Sequence, residues 1–176
     1  ETVAGVVGEI EGMAMTIGDG LDRIGLLDAM PAGAARNALD CALWDLEAKL
    51  AHRRVWELAG IAAPEPAETC DTVVLGTAQA MADAARARAH RPLLKVKLDS
   101  EDVLARIRAV HAAAPAAGLV LDANEGWDLD VLESVAVELP GMGVIAIEQP
   151  LGADKDEGLA DFNAPVSLIA DESFLG

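Results

Sequence analysis

The chain has 176 residues, which is enough for one domain with a sizeable core, and 52% of them are hydrophobic. Its formal net charge of −17 argues against nucleic acids and anionic membranes as partners, because both bind basic patches. Neither a signal-peptide pattern nor an apolar run of transmembrane length occurs, and Cys41 and Cys70 lack metal-ligand spacing. We therefore expect a cytoplasmic protein in which both cysteines are reduced and buried.

The first third of the chain is predicted to be helical. Residues 1–30 favour two short helices separated by a Gly-Asp-Gly turn. Over residues 34–51 apolar residues recur three and four positions apart, which predicts an amphipathic helix. Gly60 ends the next short helix, and prolines mark a linker after it. We therefore divide the chain into a helical domain, residues 1–64, and a second domain, residues 65–176.

After the linker, strands alternate with helices. Five strands are predicted, at residues 72–75, 93–98, 119–124, 144–148 and 166–171. The intervening helices are predicted at residues 78–89, 101–114, 129–138 and 155–160. Repeated βαβ units indicate an α/β fold with a parallel sheet and right-handed crossovers. Periodicity alone does not distinguish an open doubly wound sheet from part of a (β/α) barrel.

The predicted strand at 93–98 carries two lysines on one face. Lys95 and Lys97 alternate with Leu94, Val96 and Leu98, so the two side chains point the same way. Ammonium groups directed into the interior of a parallel sheet are costly unless something there uses them. The alternative is an edge strand with both lysines in water.

Three acidic residues each end a predicted strand. Asp122, Glu148 and Asp171 are separated by 26 and 23 residues, about one βα repeat in each case. The carboxyl ends of parallel strands lie at one rim, where α/β folds keep their sites. A single Asp after a strand is more often a helix cap or turn residue, but three in successive repeats favour a shared cation. Carboxylate oxygens suit Mg²⁺ first.

These residues also carry a family resemblance. It rests on four motifs in this order and spacing: Lys95-x-Lys97, Asp122-Ala123-Asn124, Glu148-Gln149-Pro150 and Ala170-Asp171-Glu172-Ser173. Together they resemble the enolase superfamily, in its muconate-lactonizing subgroup. Residues 31–46 and 72–77 are similar to the dipeptide epimerases, whose substrate class includes L-Ala-D/L-Glu. The resemblance covers nearly the whole chain.

The resemblance implies a role for each charged residue at the rim. Asp122, Glu148 and Asp171 would bind Mg²⁺, which would hold the oxygens next to the acidic α-carbon of the substrate. Lys97 would be the base that removes the α-proton. Lys95 would lie beside it, favour its neutral form by like-charge repulsion and contact a substrate oxygen. A lysine base with Mg²⁺ is the known pattern of this superfamily.

The resemblance also implies supporting residues and an architecture. Thr72 would contact the dipeptide, and Asn124 and Glu172 would orient the ligands or the lysines. Residues 1–64 would be the helical part of an N-terminal capping domain. Residues 65–176 would be the N-terminal half of a (β/α)7β barrel, with about five parallel strands present.

The implied function is Mg²⁺-dependent epimerisation of a dipeptide. The protein would then be an isomerase with a small-molecule substrate. The sequence is compatible with either a monomer or a homo-oligomer. Superfamily members carry a second acid/base beyond the last metal ligand, whereas this sequence ends at Gly176. We therefore expect a longer parent enzyme and an inactive isolated chain. The alternatives are a cycloisomerase, an o-succinylbenzoate synthase, an N-acylamino-acid racemase, or a non-catalytic α/β module that binds a divalent ion.

Overall fold

The computed structural model describes residues 1–174. The chain divides into two compact units, Glu1–Pro66 and the part that begins at Ala67. Each unit encloses its own cluster of buried apolar side chains. No helix within residues 1–174 combines the length and the apolar composition that a membrane span requires.

The first unit consists of five helices. They are α1 (Val3–Gly12), α2 (Ala14–Gly18), α3 (Arg23–Ala29), α4 (Ala34–Ala51) and α5 (Val55–Leu58). The sequence predicted two helices before residue 30, and there are three because Met13 separates α1 from α2. Side-chain oxygens of Thr2 and Asp22 cap α1 and α3 by accepting hydrogen bonds from backbone N–H groups of the first turn.

Helix α4 buries a narrower stripe than its apolar residues suggest. Ala35, Leu39 and Leu43, spaced four residues apart, are buried in the cluster of the first unit. Leu46 and Leu50 fall outside this stripe and are exposed, by 48% and 73%. The helix itself spans the predicted residues, so its position was correct and the width of its buried face was not.

Both cysteines are free thiols, but the prediction that both are buried is wrong. Cys41 is exposed because it lies on α4 away from the stripe formed by Ala35, Leu39 and Leu43. Cys70 is half-buried, directly before the first strand.

The second unit contains a parallel sheet of five strands in chain order. The strands are β1 (Asp71–Val73), β2 (Leu93–Lys97), β3 (Gly118–Asp122), β4 (Val144–Glu148) and β5 (Ser167–Ile169). They are connected by α6 (Ala78–Ala87), α7 (Val103–Ala113), α8 (Leu129–Ala136) and a 3-10 helix, Ala153–Leu159. A doubly wound sheet reverses its strand order at a switch point, and the described strands show no reversal. The sheet is therefore part of a (β/α) barrel arrangement.

Strand β2 lies inside the sheet, between β1 and β3, so the edge-strand alternative is wrong. Its residues Leu94 and Val96 are fully buried in the apolar cluster, together with side chains of α6 and α7. Since side chains alternate along a strand, the two lysines lie on the opposite face of the sheet. The register aligns Lys97 with Asp122 and Asp122 with Glu148, so these three residues lie side by side at the strand ends.

A hydrogen-bonded network fixes the connection that follows β2. Asp99 accepts a hydrogen bond from the backbone N–H of Glu101, at 2.8 Å, and one from the guanidinium of Arg106. The indole Nε1 of Trp127 donates to the Asp99 carbonyl oxygen at 2.9 Å, which links this connection to the one after β3. The Glu101 N–H holds the pKa of Asp99 below its ordinary value, and Arg106 adds to this against an opposing effect of burial.

We expect Asp99→Asn to lower the free energy of unfolding by about 1 kcal/mol at pH 7, because charge-assisted hydrogen bonds are lost. A carboxylate with a depressed pKa stabilises the folded state above its ordinary pKa, and this contribution is lost as the pH falls through the folded value. The difference from wild type should therefore narrow below about pH 4. Urea unfolding followed by circular dichroism at several pH values measures it. Asp161→Asn, at an exposed position, is the matched control; equal losses in both variants would contradict the assignment.

Candidate functional site

The site is built around two lysines on the face of the sheet opposite the apolar cluster. The side chains of Lys95 and Lys97 are 22% and 33% exposed, so both are largely withdrawn from water. Lys95 lies between Asp122 Oδ2, at 2.8 Å, and Glu148 Oε1, at 2.7 Å. Lys97 Nζ is 2.6 Å from the same Asp122 oxygen. One fully buried carboxylate oxygen is thus shared by two ammonium groups.

These contacts shift the pKa values of Lys95 and Asp122. Burial lowers the pKa of Lys95, but its hydrogen bonds to Asp122 and Glu148 outweigh burial and raise it above the ordinary value. Burial raises the pKa of Asp122, yet hydrogen bonds from Lys95, Lys97 and the backbone N–H of Asn124 leave it lowered. The shifts therefore favour the protonated form of Lys95 and the ionised form of Asp122.

Asn124 connects the lysines to the segment after β5. Its amide oxygen accepts a hydrogen bond from Lys97 Nζ at 2.7 Å, and its Nδ2 donates to Glu172 Oε1 at 3.3 Å. Its backbone N–H donates to Asp122 Oδ1 at 3.0 Å, with a φ of 43°. The other oxygen of Glu172, Oε2, is buried and has no hydrogen-bond partner among the described residues. Such an acceptor is free to accept a ligand or a cation.

Asp171 does not join Asp122 and Glu148 in one cluster. Its side chain is exposed, two residues past the end of β5. Within residues 1–174 no three His, Cys, Asp or Glu side chains are grouped so that they could share a metal ion. The structure brings Asp122 and Glu148 together through Lys95 and leaves Asp171 outside, so the role of all three as ligands stays a prediction.

Thr72 lies on β1 in register with Lys95, so both side chains are on the same face of the sheet. Thr72 is exposed, as a residue in contact with substrate must be before the substrate binds. Its contact with a dipeptide stays a prediction.

Sequence reasoning missed Gln149, which it treated only as part of a motif. The residue is 2% exposed. Its side chain joins the end of β4 to Asp171 and Ser173 through hydrogen bonds of 2.7–3.0 Å. The signal was a polar amide directly after a buried strand, where an orphaned side chain would be costly.

Comparison with known proteins places the chain in a family. Residues 77–176 match the family described as Enolase C-terminal domain-like. Residues 20–60 match the N-terminal domain of the mandelate racemase / muconate lactonizing enzyme family. The chain belongs to the enolase superfamily. The resemblance inferred from the lysine and carboxylate motifs is therefore confirmed, as is the partial barrel with five parallel strands.

Two curated superfamily members are similar over most of the chain. The L-Ala-D/L-Glu epimerase of Escherichia coli K12 is 43% identical over 98% of this chain and 54% of its own length. The N-acetyl-D-glutamate racemase of a Pseudoalteromonas species is 45% identical over 84% of this chain and 47% of its own length. The chain thus spans about half the length of the curated relatives it matches.

Solved superfamily structures share the fold. An enolase family member from Agrobacterium tumefaciens, with homology to dipeptide epimerases, has bound sodium and L-Ala-L-Glu. It is 45% identical, with a TM-score of 0.92 over 98% of this chain and 53% of its own. A dipeptide epimerase from Enterococcus faecalis V583, complexed with Mg and L-Leu-L-Tyr, is 27% identical. Its TM-score is 0.80 over 98% of this chain and 52% of its own.

Because Asp122 is shared by two lysines, we expect its replacement to lower the free energy of unfolding more than the replacement of Lys97. Asp122→Asn leaves two half-buried ammonium groups without their common anion, and we expect a loss of about 3 kcal/mol. Lys97→Met leaves Asp122 paired with Lys95, so its loss should stay below about 1 kcal/mol. Urea unfolding in EDTA compares the two variants, with Lys155→Met at an exposed position as control. Equal losses for Asp122→Asn and Lys97→Met would show that the carboxylate is not shared in solution.

Proposed function

We propose that the full-length protein is an Mg²⁺-dependent dipeptide epimerase, an isomerase that acts on dipeptides of the L-Ala-D/L-Glu type. The observation that carries this proposal is the pair of lysines, Lys95 and Lys97, placed against Asp122 at the carboxyl end of the sheet. The 43% identity to an L-Ala-D/L-Glu epimerase supports the same activity.

The donor set, three carboxylates, suits a hard divalent cation, although Asp171 lies apart from Asp122 and Glu148 in this structure. Asp122, Glu148 and Asp171 offer carboxylate oxygens at the ends of three neighbouring strands, and such oxygens are the ligands Mg²⁺ prefers. The Lys95 ammonium lies within 2.8 Å of both Asp122 and Glu148, so these two carboxylates already share one positive charge. We assign Asp122, Glu148 and Asp171 as the residues that would hold Mg²⁺. When bound, the ion supplies Lewis-acid stabilisation of the negative charge that develops beside the α-carbon.

The two lysines have different tasks in this proposal. Lys97 acts as the base that takes the proton from the substrate α-carbon, and the electron pair of the broken C–H bond moves toward the adjacent carbonyl. Asn124 accepts a hydrogen bond from Lys97 Nζ and so orients the amine. Lys95 stays protonated, and its ammonium group stabilises negative charge on a substrate oxygen. Returning the proton on the opposite face of the carbon requires a second acid/base.

A racemase of N-acylated amino acids is the second candidate, because the 45% identical relative is an N-acetyl-D-glutamate racemase. Both reactions would remove and return the proton on the α-carbon of glutamate, which lies next to a carboxylate. The substrates differ in the group on the amide nitrogen side, since a dipeptide presents a charged amino terminus there.

Replacing Lys97 by Ala tests the base. Full-length protein with Mg²⁺ in D₂O should interconvert L-Ala-D-Glu and L-Ala-L-Glu with incorporation of deuterium at the glutamate α-carbon, and Lys97→Ala should slow this interconversion at least about 100-fold. Lys155→Ala, at an exposed position, should exchange like wild type. Interconversion of the two epimers that survives in Lys97→Ala would remove this residue from the mechanism. A wild-type protein that exchanges no α-proton would favour the alternative of a non-catalytic module.

A substrate comparison separates the two candidates. We expect kcat/KM for L-Ala-D/L-Glu to exceed that for N-acetylglutamate by at least about tenfold, because a charged amino terminus can be recognised and an acetyl group lacks it. Optical rotation or NMR of the products measures both rates. EDTA should abolish the activity and added Mg²⁺ should restore it; activity that persists in EDTA would contradict the metal dependence, and the reverse substrate order would favour the racemase.

A further inference from the structure

Gln149 is a buried amide whose hydrogen-bonding groups are all directed at the rim of the sheet. Its Oε1 accepts hydrogen bonds from the backbone N–H groups of Asp171 and Ser173, both at 3.0 Å. Its Nε2 donates to the Leu151 carbonyl oxygen at 2.9 Å and to Ser173 Oγ at 2.7 Å. The amide oxygen of Gln149 therefore bonds to the backbone of Asp171, whereas its amide nitrogen makes no contact with that residue. We call these the acceptor side and the donor side of the amide.

The backbone of Gln149 is held in a rare conformation. Its φ of 35° lies in the left-handed region, which non-glycine residues seldom adopt. Its N–H donates to the Ile169 carbonyl oxygen, and its own carbonyl oxygen accepts from the Glu125 N–H, both at 2.9 Å. The end of β4 is thereby bonded to the segments on both sides. Strain that is maintained in this way at the rim of a site is a sign of function.

Asp171 depends on this amide for its position. Strand β5 ends at Ile169, so Asp171 lies beyond the register that aligns Asp122 with Glu148. The backbone N–H of Asp171 donates to Gln149 Oε1, while its carbonyl oxygen accepts only from Phe174 within the described residues. Since Gln149 directly follows Glu148, the amide links the two segments that carry these proposed metal ligands.

We infer that Gln149 is a positioning residue for the divalent cation, which it serves by fixing the backbone at Asp171, so that this carboxylate can approach Asp122 and Glu148 when the ion binds; this rests on the proposed function. The amide does not itself bind the ion. A purely structural role, in which Gln149 only fills and satisfies a buried space, would change stability and leave the affinity of the folded protein for Mg²⁺ as it is.

The experiment measures Mg²⁺ binding by isothermal titration calorimetry with full-length protein in the absence of substrate. Gln149→Met keeps the approximate length and removes the amide, and we expect Mg²⁺ to bind about 10- to 100-fold more weakly. Gln149→Asn keeps an amide that is one methylene too short, and it carries the test if Gln149→Met does not fold. Thermal unfolding without metal identifies the folded variants.

Two control variants test whether the effect is specific to the amide oxygen of Gln149. Ser173→Ala removes only the hydroxyl that the donor side contacts, and should bind Mg²⁺ nearly as wild type does. Gln79→Met changes the same residue type at an exposed position of α6, where its amide contacts Asp83, and should have no effect.

The inference is overturned if folded Gln149→Met or Gln149→Asn binds Mg²⁺ within about twofold of wild type. It is also overturned if Ser173→Ala weakens binding as much as Gln149→Met, if neither Gln149 variant folds, or if wild type binds no Mg²⁺. If wild type binds Mg²⁺ and the Gln149 variants lose it, yet wild type epimerises no dipeptide, the proposed function fails and the positioning role of Gln149 stands.

Discussion

The buried carboxylate of Asp122, shared by two ammonium groups, constrains much of the second unit. Placing a carboxylate and two lysines inside a protein costs several kcal/mol per ion unless the charges meet with good geometry. They meet here because β2, β3 and β4 are in a register that sets Lys97, Asp122 and Glu148 side by side. A slip of one residue would turn the charges toward the apolar face. The strand register therefore brings the charges together, and the cost of leaving them unpaired disfavours any other register.

The sequence was sufficient to predict the type and order of the elements in the second unit. Alternating apolar strands and amphipathic helices located all five strands, because buried strands of a parallel sheet leave few other patterns. Strand ends were less predictable. Strand β5 stops at Ile169, before the predicted end at residue 171, because the Asp171 N–H bonds to the Gln149 side chain and not to a neighbouring strand.

The charged cluster was partly predictable from the parallel order of the strands. Residues that end neighbouring parallel strands must lie at one rim, so the meeting of Lys97 with Asp122 follows from the topology. Contacts made by Asn124 and Gln149 with the segment after β5 were not predictable, because they join residues 22–48 positions apart and have no periodic signal. Their identity as positioning groups comes only from the geometry.

The hydrogen bond between the Trp127 indole and the Asp99 carbonyl oxygen has a practical consequence. The chain has three tryptophans, and Trp127 is the one that falls within residues 67–174. Its buried ring bonds to a backbone oxygen two residues past Lys97. In a variant with Trp44 and Trp56 replaced by Phe, the fluorescence of Trp127 alone would therefore report rearrangement of the rim without any added label.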